Sequence, residues 1–563
     1  MPPVTRAQMP DSQMPLRIIP LGGVGEIGKN MYVFEYGDDI VVVDCGLMFP
    51  DEEMFGIDLV IPDVTYLREN REKDRAFLIT HAHEDHVGGL PYVLPYFPGV
   101  PVYASTLARG LLGIKIKEHK LHNNPLLPLD PGDNLEIGPF RVEPFRISHS
   151  IPDAMGIALH TPIGTVVTTG DFKFDHTPVD GRRSDFAMLS RLGEDGVVCL
   201  LSDSTRAESA GYTLSERTVG ETFREIMEPL DGRVIVATFA SNIARIQQVI
   251  DAAATFDRHV AVVGRSMEQN FRIATDLGYL TYAPGQIVGK DQIGSTPADK
   301  IVIATTGAQG EPMAGLARMA NHDHRFVEIQ PGDTVIVSAS PIPGNEEYVA
   351  RTIDNLFKAG ANVYYHTVKH AHVSGHASQE ELKLMLGLTR PKYFIPIHGE
   401  FRMLVQHGRL AVETGVAPEN VFIIENGQAI EFFADGSARR AAPVTSGYVL
   451  VDGLSVGDVG EVVLRDRRAL ASDGMFIIVV TVDKQTGKVV ARPEIVTRGF
   501  VHGNERDPLM EGAVEHIMAA VESPGDRTSE VGLLKSQIKD EVSRYLYEQT
   551  RRRPLVFPVV VEV

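Results

Sequence analysis

The chain has 563 residues, 43% of them hydrophobic, and a formal net charge of −20. So long a chain exceeds a single core and predicts about two to four domains. No apolar run approaches the ~20 residues of a membrane span, and the two cysteines, Cys45 and Cys199, exclude a disulfide scaffold and a thiolate zinc cage. Such sparse cysteine suits a reducing cytoplasm. The acidity lacks the basic face usual in phosphate binders. It does not settle the ligand, because bound cations and a few local Arg or Lys can make one groove positive.

The N-terminus, MPPVTRAQMPDSQMPLR, has no apolar signal region, and residues 1–15 read as a disordered lead. Residues 16–45 alternate glycine turns with β-rich runs (LRIIPLGG, NMYVFEYG, DIVVVDCG) and predict antiparallel strands. Gly23, Gly25 and Gly28 match GxGxxG, but that motif needs a helix directly after it and NMYVFEY is strand-like, so the glycines predict a turn. DRAFLIT predicts a strand, GGLPYVLPYF a short helix, and PVYAS, NLEIGPFRVEPFRISHS, AMGIALHTPIGTVVTTGDFKF and GVVCLLSDST further strands. From Ser215 helices and strands alternate as in a parallel α/β unit, beginning with a helix that Ser215 would cap. A Gly-rich connector, SGYVLVDGLSVGDVG, precedes a last segment with two strands, two amphipathic helices and a terminal strand.

The chemistry concentrates in THAHEDHVGGLP, where His81, His83, Asp85 and His86 form HxHxDH at the end of a strand. Imidazole and carboxylate are the common ligands of zinc and similar cations. The alternating side chains can serve two adjacent ions, a pair suited to attack on a phosphodiester or an acyl group. Further ligands at strand ends are His149, Asp171 as a bridging carboxylate, and His398, with Asp44 placed to orient the cluster from behind. Any one of these alone would be read as a satisfied buried polar group; the set is not. In HVSGH, residues His372, Val373, Ser374, Gly375 and His376 put imidazoles, a hydroxyl and a Gly N–H in one turn, which can cradle an anion. At Met48-Phe49 a buried Phe is the commoner fate than a base-stacking one. TRRRP reads as a solvated helix end, and Leu534, Ile538, Val542, Tyr545 and Leu546 as a helix face packed within its domain or in a homodimer.

The ordered set Asp44, HxHxDH, His149, Asp171 resembles the metallo-β-lactamase fold. SDST with Asp203, then His376 and His398, resembles the β-CASP nucleases, in which an inserted domain splits the lactamase domain. FASNIAR, GAQGEP and SPIPGNE are similar to the ribonuclease J family. The resemblance implies an α/β chain: a metallo-β-lactamase αββα sandwich, an inserted α/β β-CASP domain and a small α/β C-terminal domain. The expected boundaries are 16–214 and 372–446 for the lactamase domain, 215–371 for the insertion, 447–468 for a linker and 469–563 for the C-terminal domain.

Also implied is a ribonuclease that binds two divalent ions, zinc first and manganese as an activator. It would combine 5′→3′ exonuclease action on 5′-monophosphorylated RNA with endonuclease cuts, in rRNA processing and mRNA decay. Asp85, Asp203 and His376 are its expected catalytic groups, and residues 372–376 with Ser241 and Asn242 its RNA contacts. A cytoplasmic homodimer without membrane contact is expected. The alternatives are a β-CASP nuclease acting on DNA, a small-molecule ester hydrolase and a non-enzymatic RNA scaffold.

Overall fold

A computed structural model describes residues 14–563 except 52, 229, 308–313, 341–344, 366–367, 454, 487, 502–505 and 523–530. The expected lead, most of GAQGEP and the centre of SPIPGNE lie outside the described residues. The chain forms two compact units, one up to Phe49 with Val60–Val449, the other Pro50–Leu59 with Leu450–Val563.

In the first unit, strands Leu16–Gly22, Met31–Tyr36 and Asp39–Val43 pair antiparallel, and Asp74–Leu78 adds in parallel within an eight-stranded sheet. No helix follows the GxGxxG glycines, whose φ values of 81°, 79° and 114° serve turns between strands. A six-stranded sheet runs in the order Tyr393–Ile397, Val197–Asp203, Gly164–Thr168, Met155–Thr161, Phe140–Arg146, Leu135–Ile137. Alternation directs Phe34, Val41 and Leu78 of the first sheet and Val142, Ile157 and Leu201 of the second into one shared core. The opposite face of the second sheet, with Phe145, Val167 and Leu200, is covered by helices Phe186–Asp195, Gln379–Thr389 and Phe401–Glu413.

Between Val197–Asp203 and Tyr393–Ile397 the chain makes a separate six-stranded sheet, every recorded pairing of which is parallel. Its strands are near-continuous apolar runs because helices bury both faces. The flanking strands then pair parallel, with Asp203 opposite Ile397, so the insertion is bridged by the sheet that carries the site.

The second unit pairs Met475–Val482 with Glu494–Arg498 and Leu555–Glu562. Phe476, Ile478 and Val480 pack under Ile538, Val542 and Leu546 of helix Val531–Thr550, so the apolar face of that helix lies inside the domain core, with Leu534 and Tyr545 at its edge. Arg551 and Arg553 lie over Tyr547 at 5.5 and 4.6 Å from its ring centre.

Three expectations change. Residues 447–468 are not a bare linker: Tyr448–Asp452 and Ser455–Val456 form a hairpin, and helix Glu461–Asp473 starts within it. The helix after Ser215 begins at Arg217 with Glu216 as its cap residue, Ser215 Oγ instead accepting from the Arg217 N–H at 3.3 Å. Phe49 is 49% exposed, not buried. Among the helices that escape the sequence reading are Thr106–Glu118 and Phe186–Asp195, capped by Ser105 and Asp185.

Candidate metal centre

Every expected ligand lies just beyond the end of a strand, Asp85 and His86 in the short helix Glu84–Val87 that follows. Asp44 follows Asp39–Val43, the HxHxDH run follows Asp74–Leu78, His149 follows Phe140–Arg146, Asp171 follows Gly164–Thr168, and His398 follows Tyr393–Ile397. Asp44 and His398 hold φ of 61° and 50°, a left-handed conformation costly for a side-chain-bearing residue and common where function demands it.

The side chains converge into two sets, His81, His83, His149, Asp171 and Asp85, His86, Asp171, His398; within each, one candidate atom per residue lies within 4.8 Å of all the others. Asp171 belongs to both. Its Oδ2 lies 3.2 Å from His86 Nε2, 3.7 Å from His81 and His398 Nε2, and 3.8 Å from His149 Nε2. Ring nitrogens also crowd together, His83 Nδ1 being 3.0 Å from His81 Nε2 and 3.1 Å from His149 Nε2. Asp171 Oδ1 is buried and finds no hydrogen-bond partner among the described residues. Buried polar groups left so are costly. An imidazole and carboxylate set closing on two points fits divalent cations.

The electrostatics agree. Burial above all holds His81, His83 and His149 below the usual imidazole range, His83 at about 4, so they present neutral lone pairs. Burial opposes charge on His86 and His398 too, but Asp171 and the neighbouring acids outweigh it and raise both, His398 to about 10. Burial would raise Asp85 and Asp171, yet these imidazoles hold both carboxyls well below the ordinary range.

A layer of partners fixes which nitrogen of each ring faces inward. Thr80 Oγ donates to Asp44 Oδ2 at 2.8 Å and can accept from His81 Nδ1 at 3.0 Å. Thr205 Oγ repeats this, donating to Asp203 Oδ1 at 2.7 Å with His398 Nδ1 at 2.6 Å. His86 Nδ1 reaches Asp44 Oδ2 at 2.7 Å, and His149 Nδ1 the Gly375 carbonyl at 2.8 Å. In four rings the outer nitrogen thus meets a fixed partner and Nε2 is turned to the cluster. Asn30 Nδ2 bonds the Asp85 carbonyl and lies 3.1 Å from His86 Nε2. Thr80 and Thr205 stand inside the motifs THAHEDH and SDST, so their positions were in view; Asn30 carries no sequence signal.

Beside the cluster, His376 Nδ1 lies 2.7 Å from Asp203 Oδ2. Burial works against a charged His376, but the Asp203 carboxylate outweighs it and raises the imidazole. Asp203 also falls within ligand range of Asp171, His376 and His398. Both of its oxygens are already engaged, one by Thr205 and one by His376.

Comparison with known proteins places this geometry. Residues 24–229 match the family model of the metallo-beta-lactamase superfamily, 231–356 that of the ribonuclease J beta-CASP domain, 360–424 a Zn-dependent metallo-hydrolase RNA specificity domain, and 462–563 the ribonuclease J C-terminal domain. Ribonuclease J2 of Bacillus subtilis is 44% identical over 97% of this chain and 99% of its own length. The chain belongs to the ribonuclease J family. Ribonuclease J 1 of Streptococcus pyogenes is 43% identical over 97% of each chain, and Ribonuclease J 2 of Staphylococcus aureus 39% over 97% of this chain and 98% of its own. A crystal structure of a protein of unknown function from Enterococcus faecalis shares the fold, with TM-score 0.54 and 15% identity over 74% of this chain and all of that one.

The HVSGH segment forms a tight loop against the cluster. A Cβ on Gly375 would stand 2.7 Å from His149 Cε1, so only glycine lets the loop approach that ring. Gly375→Ala is expected to push His149 aside and lower metal occupancy by about 10-fold or more, the range for a disturbed ligand support; metal analysis after dialysis checks it. Ser374 Oγ accepts from the His376 N–H at 3.1 Å and keeps its own proton to donate. His372, Ser374 and His376 are half-buried, while Val373 and Gly375 are buried. In the FASNIAR motif Asn242 is buried and its Oδ1 caps helix Ile243–Thr255 by accepting from the Arg245 N–H at 3.0 Å, while Ser241 is half-buried.

Proposed function

We propose that this member of the ribonuclease J family, a metal-dependent ribonuclease, degrades 5′-monophosphorylated RNA from its 5′ end and also cuts internally. The observation that carries the reading is Asp171, shared by two four-residue ligand sets beside the His376–Asp203 pair. His81, His83, His149 and Asp171 would hold one ion and Asp85, His86, Asp171 and His398 the other, zinc being the resident metal and manganese an activator. Divalent ions there would make water a stronger nucleophile and neutralise charge gathering on the phosphate.

The chain's own groups supply the rest. Asp85, with its side chain 30% exposed, accepts the water's proton. Attack at phosphorus forms one P–O bond and breaks the bond to the 3′ oxygen. That oxygen takes a proton from His376 Nε2, while Asp203 stabilises the charged imidazole. The products are a 3′-hydroxyl and a fresh 5′-phosphate, so each cut creates the end the next one needs. A small-molecule ester hydrolase of this fold has no use for a separate inserted domain.

Loop 372–376 would seat the 5′-phosphate, with the Ser374 hydroxyl donating. RNAs differing only at the 5′ end provide the test. Monophosphate RNA is expected to yield mononucleotides, triphosphate RNA to be degraded more slowly, and internal cuts to be less sensitive. A hydrogen bond to a charged group contributes about 1.5–3 kcal/mol, so Ser374→Ala is expected to lose about 10-fold or more of the monophosphate preference. Equal exonuclease rates on both ends would place the pocket elsewhere.

Homodimerisation is supported by the uncovered face of the C-terminal sheet. Val496, Ile477 and Phe557 form one cross-strand row on it, with Val496 and Phe557 exposed. Phe557→Asp is expected to halve the mass seen in sedimentation; an unchanged mass sends the contact to another surface. Both cysteines are buried and free, in keeping with a cytoplasmic setting in RNA decay and maturation. Among the described residues no helix is long and apolar enough to cross a membrane.

A further inference from the structure

Among the described residues the most heavily bonded side chain outside the metal cluster is that of Arg245, which is fully buried. Its Nε and Nη2 grip the two oxygens of Glu216, each at 2.8 Å. Nη1 donates to the Ser338 carbonyl at 2.7 Å and to His372 Nδ1 at 2.8 Å, and Nη2 to the Val373 carbonyl at 3.2 Å. One planar guanidinium therefore ties together three places: the chain entering the insertion at Glu216, the insertion's own sheet at Ser338, and the chain leaving it at His372 and Val373. Glu216 is anchored in turn, its N–H donating to Asp175 Oδ2 at 2.8 Å, four residues beyond Asp171.

The segment so held is the one that carries His376. From Val373 the loop runs through Ser374, whose hydroxyl accepts the His376 N–H, and Gly375, whose carbonyl takes the His149 Nδ1 proton. Thr213, on the entering strand of chain, donates to the His376 carbonyl at 2.8 Å. No atom of Arg245 is recorded bonding the metal cluster, yet the loop's upstream end rests on it. A fold-only joint could be apolar, since a buried ion pair is expensive and well-packed hydrophobic residues often serve as well. What apolar residues cannot do is fix two carbonyls and one ring nitrogen at set angles, which the rigid fork of arginine does. The bond to His372 also settles that ring's tautomer: Nδ1 accepts, so its hydrogen is on Nε2.

We propose that Arg245 is a positioning residue for the reaction, holding loop 372–376 so that His376 meets the leaving 3′ oxygen and coupling the inserted domain to proton transfer. This rests on His376 acting as the general acid. It predicts a defect specific to leaving-group protonation, which loss of folding or of metal would not give.

The experiment uses the full chain with Arg245→Lys, and with the double substitution Arg245→Met, Glu216→Leu, which removes the buried charges together. Each is assayed on 5′-monophosphorylated RNA and on the same RNA with sulfur replacing the first scissile 3′ oxygen, a leaving group that departs without a proton. Relative to the parent, both variants are expected to lose about 10- to 100-fold in kcat on the oxygen-linked RNA, within the range of general acid catalysis. On the sulfur-linked RNA they are expected to stay within about threefold, the metal content and the double variant's melting temperature remaining those of the parent. Parent-like rates on both substrates overturn the proposal, as does an equal loss on both. Should the double variant not fold, the sulfur-to-oxygen ratio of Arg245→Lys decides alone, because a lysine keeps the charge beside Glu216 but cannot make the forked set of bonds. A parent protein that cuts neither RNA would instead remove the ribonuclease reading, a separate result.

Discussion

Asp171→Ala is expected to abolish RNA hydrolysis and strip the protein of metal in one step. Six candidate ligands depend on this carboxylate for a shared centre, since it is the residue common to both sets and its Oδ2 lies within 4 Å of the Nε2 of His81, His86, His149 and His398. With that carboxylate gone, the two sets lose the group they share and surround a buried void. A cation there loses both a ligand and the charge that offsets its own. Charge stabilisation by bound metal amounts to several kcal/mol in a transition state, so the expected loss is about 10³-fold or more, the conversion being tenfold for each ~1.4 kcal/mol. Elemental analysis of the purified variant beside a single-turnover assay tests both halves. Full metal content with normal turnover would show that the two sets do not act as one centre. His81→Ala is expected to act the same way through the first set alone.

His376→Ala should separate what Asp171→Ala joins. The ring sits 5.0 Å from His149 and 5.4 Å from His398 between ring centres, close enough to share the cleft, but its Nδ1 is committed to Asp203. Removing it leaves both four-residue sets intact. Metal content is expected to stay at the parental level while turnover falls by about 10²–10⁴-fold, the usual contribution of a general acid. An RNA-binding scaffold would behave differently, processing RNA alike in all three variants. A His376→Ala protein with parental metal and parental rate would end the proton-donor assignment.

The ligand set was legible because metal chemistry restricts residue type and strand ends restrict position. HxHxDH is local, and His149, Asp171 and His398 each close an unmistakable apolar run. The strand order that brings Asp203 beside His398 is not local, and only the family likeness suggested it. The same gap hides two other roles. The helix cap made by Asn242 shows only once the fold places the Arg245 N–H beside it. The role of Arg245 had no sequence signal because its partners, Glu216, Ser338 and His372, are distant along the chain. Helix Thr106–Glu118 went unread because Gly110 and Gly113 weaken its helical signal and its buried residues cluster at one end.

The pairing of Val197–Asp203 with Tyr393–Ile397 also bears on how the protein comes into being. Those partners are about 190 residues apart along the chain, and closing so long a loop is entropically unfavourable until the intervening sequence is compact. During synthesis the segment carrying His81, His83, His149 and Asp171 emerges well before the one carrying His376 and His398. Domains fold as units as they emerge, and His149 of the first ligand set leans on the Gly375 carbonyl, so both sets wait for the late segment. Folding of the insertion draws the late strand into register. A nascent chain therefore gains its complete ligand constellation and the His376–Asp203 pair only after the coding region for the insertion has been read.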